Sequence, residues 1–428
     1  MSGLDRRGFL KLAAAGALGA GLTACGGGAE SGGGTALRYA WWGNNIRQQN
    51  YTKALKEFAA KNPGIQVEPE FAEYTAFQER MTTQMAARDV ADIFWVASPQ
   101  VMTYHKNKLY RRLDDIPTLD LADYSKEELE TFKLGGQLNT MPFGIFVPVI
   151  RYNETFAEED DVELPPADAD WDAWSAFLIA YAKDNPNKRK GMPYEADADL
   201  PFESWLRQRG EQLWTEDGKP GFTADSVAAW FDWWDRLQKA GAVMTLSEQE
   251  GIGPDWALVG KKVLAKVGNS NHLIDDAKMF PDHRFKLRAM PVAKDAQAGY
   301  PFLYFPRMAI YQGIDDDKVE AAGKLVGYNT NDPAMTRTVG LTMGAPVNPK
   351  VFQQYLGSAS GDEKEMLTAV QAGREAERRP RFEAPPGSST WRTAMARVAE
   401  EISLGRLSTA DGAKRLLDEI TAGITRAR

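Results

Sequence analysis

A single cysteine, Cys25, in 428 residues excludes an internal disulfide and a cysteine-built zinc site. Histidine is nearly as scarce: His105, His272 and His283 are the only three, and none belongs to a His-Glu-x-x-His pair. Gly-x-Ser-x-Gly and Walker loops are also missing, so no local motif nominates a nucleophile, a nucleotide phosphate site, a metal or a cofactor. Positive charge is in short supply, with 51 Lys and Arg against 59 Asp and Glu and a net charge of −8. An acidic balance argues against a nucleic-acid footprint, which needs a clustered basic face. Long apolar runs are lacking too. The leading one, residues 12–22, is eleven residues long, well short of the ~20 that span a bilayer.

What is present is an ordinary globular composition, 43% hydrophobic and 26% charged, with twelve tryptophans. Length predicts two or three domains, since single cores stop growing near ~250–300 residues. The N-terminus reads as an address. Asp5-Arg6-Arg7-Gly8-Phe9-Leu10-Lys11 leads into the apolar run and then Leu22-Thr23-Ala24-Cys25. Residues 1–24 resemble a twin-arginine export signal ending in a bacterial lipoprotein box. Asp5 stands where such signals more often carry Ser or Thr, which leaves the general export route open. The resemblance implies lipidation of Cys25 and a body held at the outer face of the cytoplasmic membrane; two acyl chains anchor stably where one does not. Residues 25–35, rich in glycine, form a flexible tether, and about ten such residues reach roughly 17 Å.

The body opens with alternating strands and helices. Residues 37–42 (LRYAWW) are a strand, followed by a helix that stops at Asn62-Pro63-Gly64. Residues 65–71 alternate as a half-buried strand. A helix with Phe77, Met81 and Met85 at four-residue steps follows, then the apolar strand 92–96. Such alternation means parallel strands with helices on both faces, and ligand groups come from the carboxyl ends of the strands. Those ends are residues 41–45, 73–75 and 95–99. Ser125 and Glu128 make a capping box. Further helices are expected over 202–213, 226–239, 318–328, 390–404 and 409–424, and strands over 263–267, 285–289 and 302–310. Trp171, Trp174, Trp230, Trp233 and Trp234 lie at helical spacing and read as core.

Residues 139–153 (NTMPFGIFVPVIRYN) organise the rest. Pro142 and Pro148 break any helix, and the β-branched run reads as extended, at an edge or a crossing point. One set of strands and helices is complete before it and another begins after it. It is therefore expected to cross between two α/β lobes, with the functional cleft between them.

Five passages in order resemble the carbohydrate-binding group of extracellular solute-binding proteins of ABC transporters, the maltose-type and glycerol-phosphate-type receptors. They are NPGIQVEPEF, ADIFWVASPQ with KLYRRLDD, MPFGIFVPVIRYNETF with PPADADWDAW, GKKVLAKVGNSNHL, and the closing TWRTAMARVAEEISLGRLSTADGAKRLLDEI. The resemblance runs from about residue 37 to the end. It implies a two-lobed α/β periplasmic-binding-protein-like fold of type II that closes on ligand about a hinge. The expected first lobe is 36–143 plus about 299–341, and the second 144–298 plus about 342–428. Ligand contacts fall by resemblance at Trp41, Trp42, Asn44, Glu73 and Ser98 on the first lobe. On the second they fall at Phe202, Trp205, Asn269, Asn271 and Trp391. Where the family often has an aromatic residue, this chain has Asn269-Ser270-Asn271-His272, exchanging one stacking platform for amides. His272 itself reads as a turn or packing residue.

A sugar presents apolar faces and a rim of hydroxyls, which rings and planar polar side chains match. The implied partners are a small carbohydrate, ABC permease subunits and the membrane through Cys25, for a monomer with no catalytic residue, cofactor or nucleic acid. A secreted carbohydrate-active hydrolase is the alternative, because two carboxylates facing each other across a cleft leave no local signature.

Overall fold

The computed structural model describes residues 34–252 and 255–428. The leader, Cys25 and residues 25–33 of the tether lie outside the described residues. Strand β1 (Thr35–Trp42) runs parallel to β2 (Ile65–Ala72) over its whole length and to β3 (Ile93–Val96) at Tyr39 and Ala40. Helix α1 (Asn45–Lys61) joins the first two strands and α2 (Tyr74–Ala87) follows β2. All four residues of β3 are buried, as a strand covered on both faces requires. The strand Arg307–Ile310 returns antiparallel beside β3, and β4 (Met141–Pro142) closes the edge, so the order is β2, β1, β3, Arg307–Ile310, β4.

The second sheet has three antiparallel strands, with β5 (Pro148–Asn153) between Ala265–Asn269 and Phe285–Ala289. Pro142 occupies an edge strand, as a residue without an N–H should. Pro148 differs: its strand is central. It is tolerated there as the strand's first residue, opposite Asn269 at the end of the ladder.

Chain segments at residues 145–146, 304 and 345 run side by side between the two sheets. Ile145 and Ala345 exchange backbone hydrogen bonds of 2.9 and 2.8 Å, and Phe146 and Tyr304 exchange bonds of 3.2 and 3.0 Å. The strand expected over 302–310 therefore divides: its first half is a crossing, and only Arg307–Ile310 joins the sheet. Gly144 permits the close approach, since a Cβ there would lie 1.9 Å from the Met343 carbonyl oxygen. Arg207, fully buried on the helix Asp199–Gln208, donates to the carbonyls of Gly299, Tyr300, Arg379 and Pro380 and so ties the approach to the Tyr304 crossing to the segment at 379–380. Burial pushes its pKa down to about 10.

The core has two main bodies. One gathers Trp41, Phe58, Phe94, Trp95 and Met308 around the first sheet; the other gathers Phe202 and the expected tryptophans Trp171, Trp174, Trp230, Trp233 and Trp234. They are not sealed halves. The first continues past the crossings to Leu273, Phe285, Met366 and Val370, so the sheets are separate while the apolar packing beneath them is continuous. The helix Pro349–Ser358, expected in the second lobe, is tied to the first. Asn348 donates to Asp123 and Asn331, Lys350 pairs with Asp123, and the Tyr355 hydroxyl donates to the Pro333 carbonyl. The helix Gly361–Glu375 straddles both, with Glu365 against Lys286 and Arg374 against Glu128.

Candidate functional site

Strand β1 delivers Trp42 to the rim of the first lobe, and the chain turns at once into α1. Asn44 caps that helix, its side chain accepting from the Arg47 N–H at 2.9 Å. The Arg47 side chain folds back over Gly43, where a Cβ would meet its Cδ at 2.5 Å. Strand β2 ends beside it, and Glu73 and Tyr74 open α2. The Trp42 ring sits edge-on to Tyr74 at 5.6 Å and to Trp95 at 5.1 Å, so the core orients it while one side remains half-exposed.

The facing wall comes from the second lobe. Residues 198–201 start the helix Asp199–Gln208, and Gly268 and Asn269 end the strand Ala265–Asn269. His272 and Asp275 lie in the first turns of the helix His272–Met279. Lys266 and Glu195 form a buried ion pair at the base, and the Val267 N–H donates to Glu195 at 3.3 Å. Together the walls enclose a cleft of about 490 Å³. Behind it, Arg392 pairs with Asp199, and its charge acts on Tyr74 of the facing wall and on Tyr304 at the crossing. Phe146 stacks on Tyr304 at 4.9 Å at the crossing.

Electrostatics sharpen the picture. Burial drives the His272 pKa well below 6.5, helped by the nearby Arg151, Lys266 and Arg47, so the imidazole is neutral. Burial raises the Asp275 pKa, with Arg47 opposing it. Beneath, Arg151 and Asp276 pair with no exposure, and burial raises Asp276 to about 6 against the pull of Arg151. Among the described residues, no group of three or more His, Cys, Asp or Glu could hold a metal ion.

Of the residues singled out from sequence, Trp42, Asn44, Glu73 and Asn269 line this cleft. The others lie elsewhere, each for an identifiable reason. Trp41 points to the opposite face of β1 and is buried against Tyr39, Tyr51 and Phe71. Phe202 faces inward to Phe222 and Trp230, because the rotation of its helix presents Leu200 and Pro201 to the cleft instead. Trp205 lines a separate cavity of about 560 Å³ on the second lobe, with Trp171 and Trp233. There the Arg209 guanidinium lies 3.3 Å from the centre of its ring. Asn271 is buried, donating to the Thr342 carbonyl at 2.7 Å. Trp391 packs edge-on against Trp214 in the second core, and its neighbour Arg392 pairs with Asp199, which lines the cleft. Ser98 contacts Tyr304 behind the cleft rather than lining it. Sequence reasoning missed Arg47, Asp199, Lys266 and Asp275, placed Tyr74 in a ligand-bearing strand end without singling it out, and read His272 as a turn or packing residue. Their common signal is position: all but Lys266 fall in the opening turns of helices that follow strands or loops at the lobe rims.

Two α/β lobes, joined by adjacent chain segments and enclosing a cleft of rings and polar side chains, have the form of a solute receptor. Residues 53–369 match the family described as bacterial extracellular solute-binding protein, and the chain belongs to that family. Membership makes it an exported protein. Solved structures agree on the fold. A periplasmic oligogalacturonide-binding protein from Yersinia enterocolitica, in complex with saturated digalacturonic acid, is 17% identical; it covers 92% of this chain and 99% of its own, with a TM-score of 0.81. The GacH receptor of Streptomyces glaucescens, studied with acarbose, is 14% identical over 92% of this chain and 100% of its own, TM-score 0.74. An ABC substrate-binding protein of Listeria monocytogenes in complex with cycloalternan is 18% identical over 92% and 99%, TM-score 0.73.

Proposed function

We propose that this chain is the receptor of an ABC importer, which captures a sugar or sugar-like polyol between its lobes and hands it to the permease on closure. The observation that carries the reading is the cleft that sets Trp42 and Tyr74, as apolar platforms with Asn44 beside them, against Asn269, Asp199 and His272 as hydroxyl partners on the facing wall. The sugars bound by the structural neighbours point the same way. No covalent step is required. The twin-arginine pair, the apolar run and Cys25 support a lipid anchor that holds the protein on the outer face of the membrane. Small-angle scattering of the full chain, with and without the sugar that gives the largest thermal shift in a panel, tests the reading. Compaction together with a rise in Tm is expected, because a ligand bound only to the folded form stabilises it by mass action. A panel of mono- to trisaccharides that moves neither quantity overturns the proposal.

A further inference from the structure

Four helices direct their N-terminal ends at the cleft: α1, α2, and those starting at Asp199 and His272. Each such end carries roughly half a positive charge, and convergence of this kind ordinarily makes an anion site. Here the chain works against it. Three of the four ends carry a carboxylate: Glu73 at the cap of α2, Asp199 at the first residue of its helix and Asp275 in the opening turn of the last. Glu195 adds a fourth among the residues lining the cleft.

The cations of the lining are Arg47 and Lys266. Lys266 is engaged by Glu195, and Arg392 behind the cleft is engaged by Asp199. The charge of Arg47 acts on Asp275. His272 contributes no charge, being neutral in its enclosure. Of the two lining cations Lys266 is paired, and Arg47, which acts on Asp275 without an ion pair, faces a lining with four carboxylates.

We propose that this cleft selects uncharged glycans and rejects acidic ones, uronates and sugar phosphates alike, through the carboxylates that Glu73, Asp199 and Asp275 set at the helix ends. The inference rests on the carbohydrate reading and narrows it to a ligand class. It also separates this receptor from the oligogalacturonide-binding neighbour, whose ligand is acidic.

The test is calorimetry on the full chain with matched pairs: neutral mono- to trisaccharides and their uronate counterparts, galactobiose and digalacturonate among them, with glycerol and glycerol 3-phosphate. The neutral member of a pair is expected to bind at least tenfold more tightly, and the double variant Glu73→Gln/Asp275→Asn to narrow that ratio, most at low salt where fixed charges are least screened. An acidic member that binds the wild type as tightly as its neutral counterpart overturns this inference and leaves the carbohydrate reading standing. A ratio unchanged in the double variant removes the carboxylates from the explanation. If nothing in the panel binds, the carbohydrate reading fails and this inference falls with it.

Discussion

In an extended strand consecutive side chains leave opposite faces, so Trp41 and Trp42 cannot share a role. Trp41 enters the core among Tyr39, Tyr51 and Phe71, and Trp42 turns to the rim against Tyr74. The two rings therefore answer to different measurements. Trp41→Ala removes a fully buried indole and is expected to cost about 3–5 kcal/mol of folding stability, read from denaturant midpoints. Tyr74 is 42% exposed, and Tyr74→Ala should leave stability within about 0.5 kcal/mol of wild type. Its effect is expected on sugar affinity, about a tenfold loss by calorimetry, the loss of one aromatic platform. Unchanged affinity in Tyr74→Ala would take the ring out of the ligand site.

At the scale of elements, the crossings hold the two lobes in register. Gly144 lies against the backbone of residue 343, with no room for a methyl group. Gly144→Ala must part the segments and break the paired bonds between Ile145 and Ala345, a cost of about 3 kcal/mol by comparison with other overpacked sites. Gly357 is the control. It sits in the helix Pro349–Ser358, and a Cβ there would meet nothing within 4 Å, so Gly357→Ala should be neutral or stabilising by up to about 1 kcal/mol. Equal midpoints for the two variants would refute the crowding account. The crossing itself was readable, because prolines inside an apolar β-branched run have few places to go. The strand-end rule also led to Trp42, Asn44 and Glu73, and the family resemblance to Asn269. The second wall was harder to read. Whether Phe202 or Leu200 faces the cleft depends on the rotation of one helix about its axis, which is set by packing against Trp230 and has no mark in residues 199–208 themselves. The helix Pro349–Ser358 carries a legible Asn-Pro start, with Asn348 accepting from Lys350 and Val351, yet its attachment to the first lobe depends on Asp123, more than 200 residues away.

At the scale of the whole molecule, two titrations in and beneath the second wall oppose each other. Asp276 moves from 3.8 to about 6 on folding, so the folded state holds that proton more tightly. Its contribution is full below pH 3.8 and is lost as pH rises through 6. His272 moves the other way, its folded pKa lying well below 6.5, so its contribution is present above 6.5 and is lost as pH falls towards the folded pKa. Between about pH 5 and 6.5 the two slopes have opposite sign, each worth at most about 1.4 kcal/mol per pH unit, and the wild type should change little in Tm there on their account. His272→Gln deletes one of them. The variant's Tm relative to wild type is expected to rise steadily as pH is lowered from about 7 to about 5, whatever its offset at the upper end. Taking the difference between two chains that share every other group cancels the titrations they have in common, so the slope isolates one imidazole. A constant difference across that range would mean that His272 titrates alike in the folded and unfolded chain. The cleft would then not enclose it, and the absence of positive charge on His272, one support for selection against acidic sugars, would be lost.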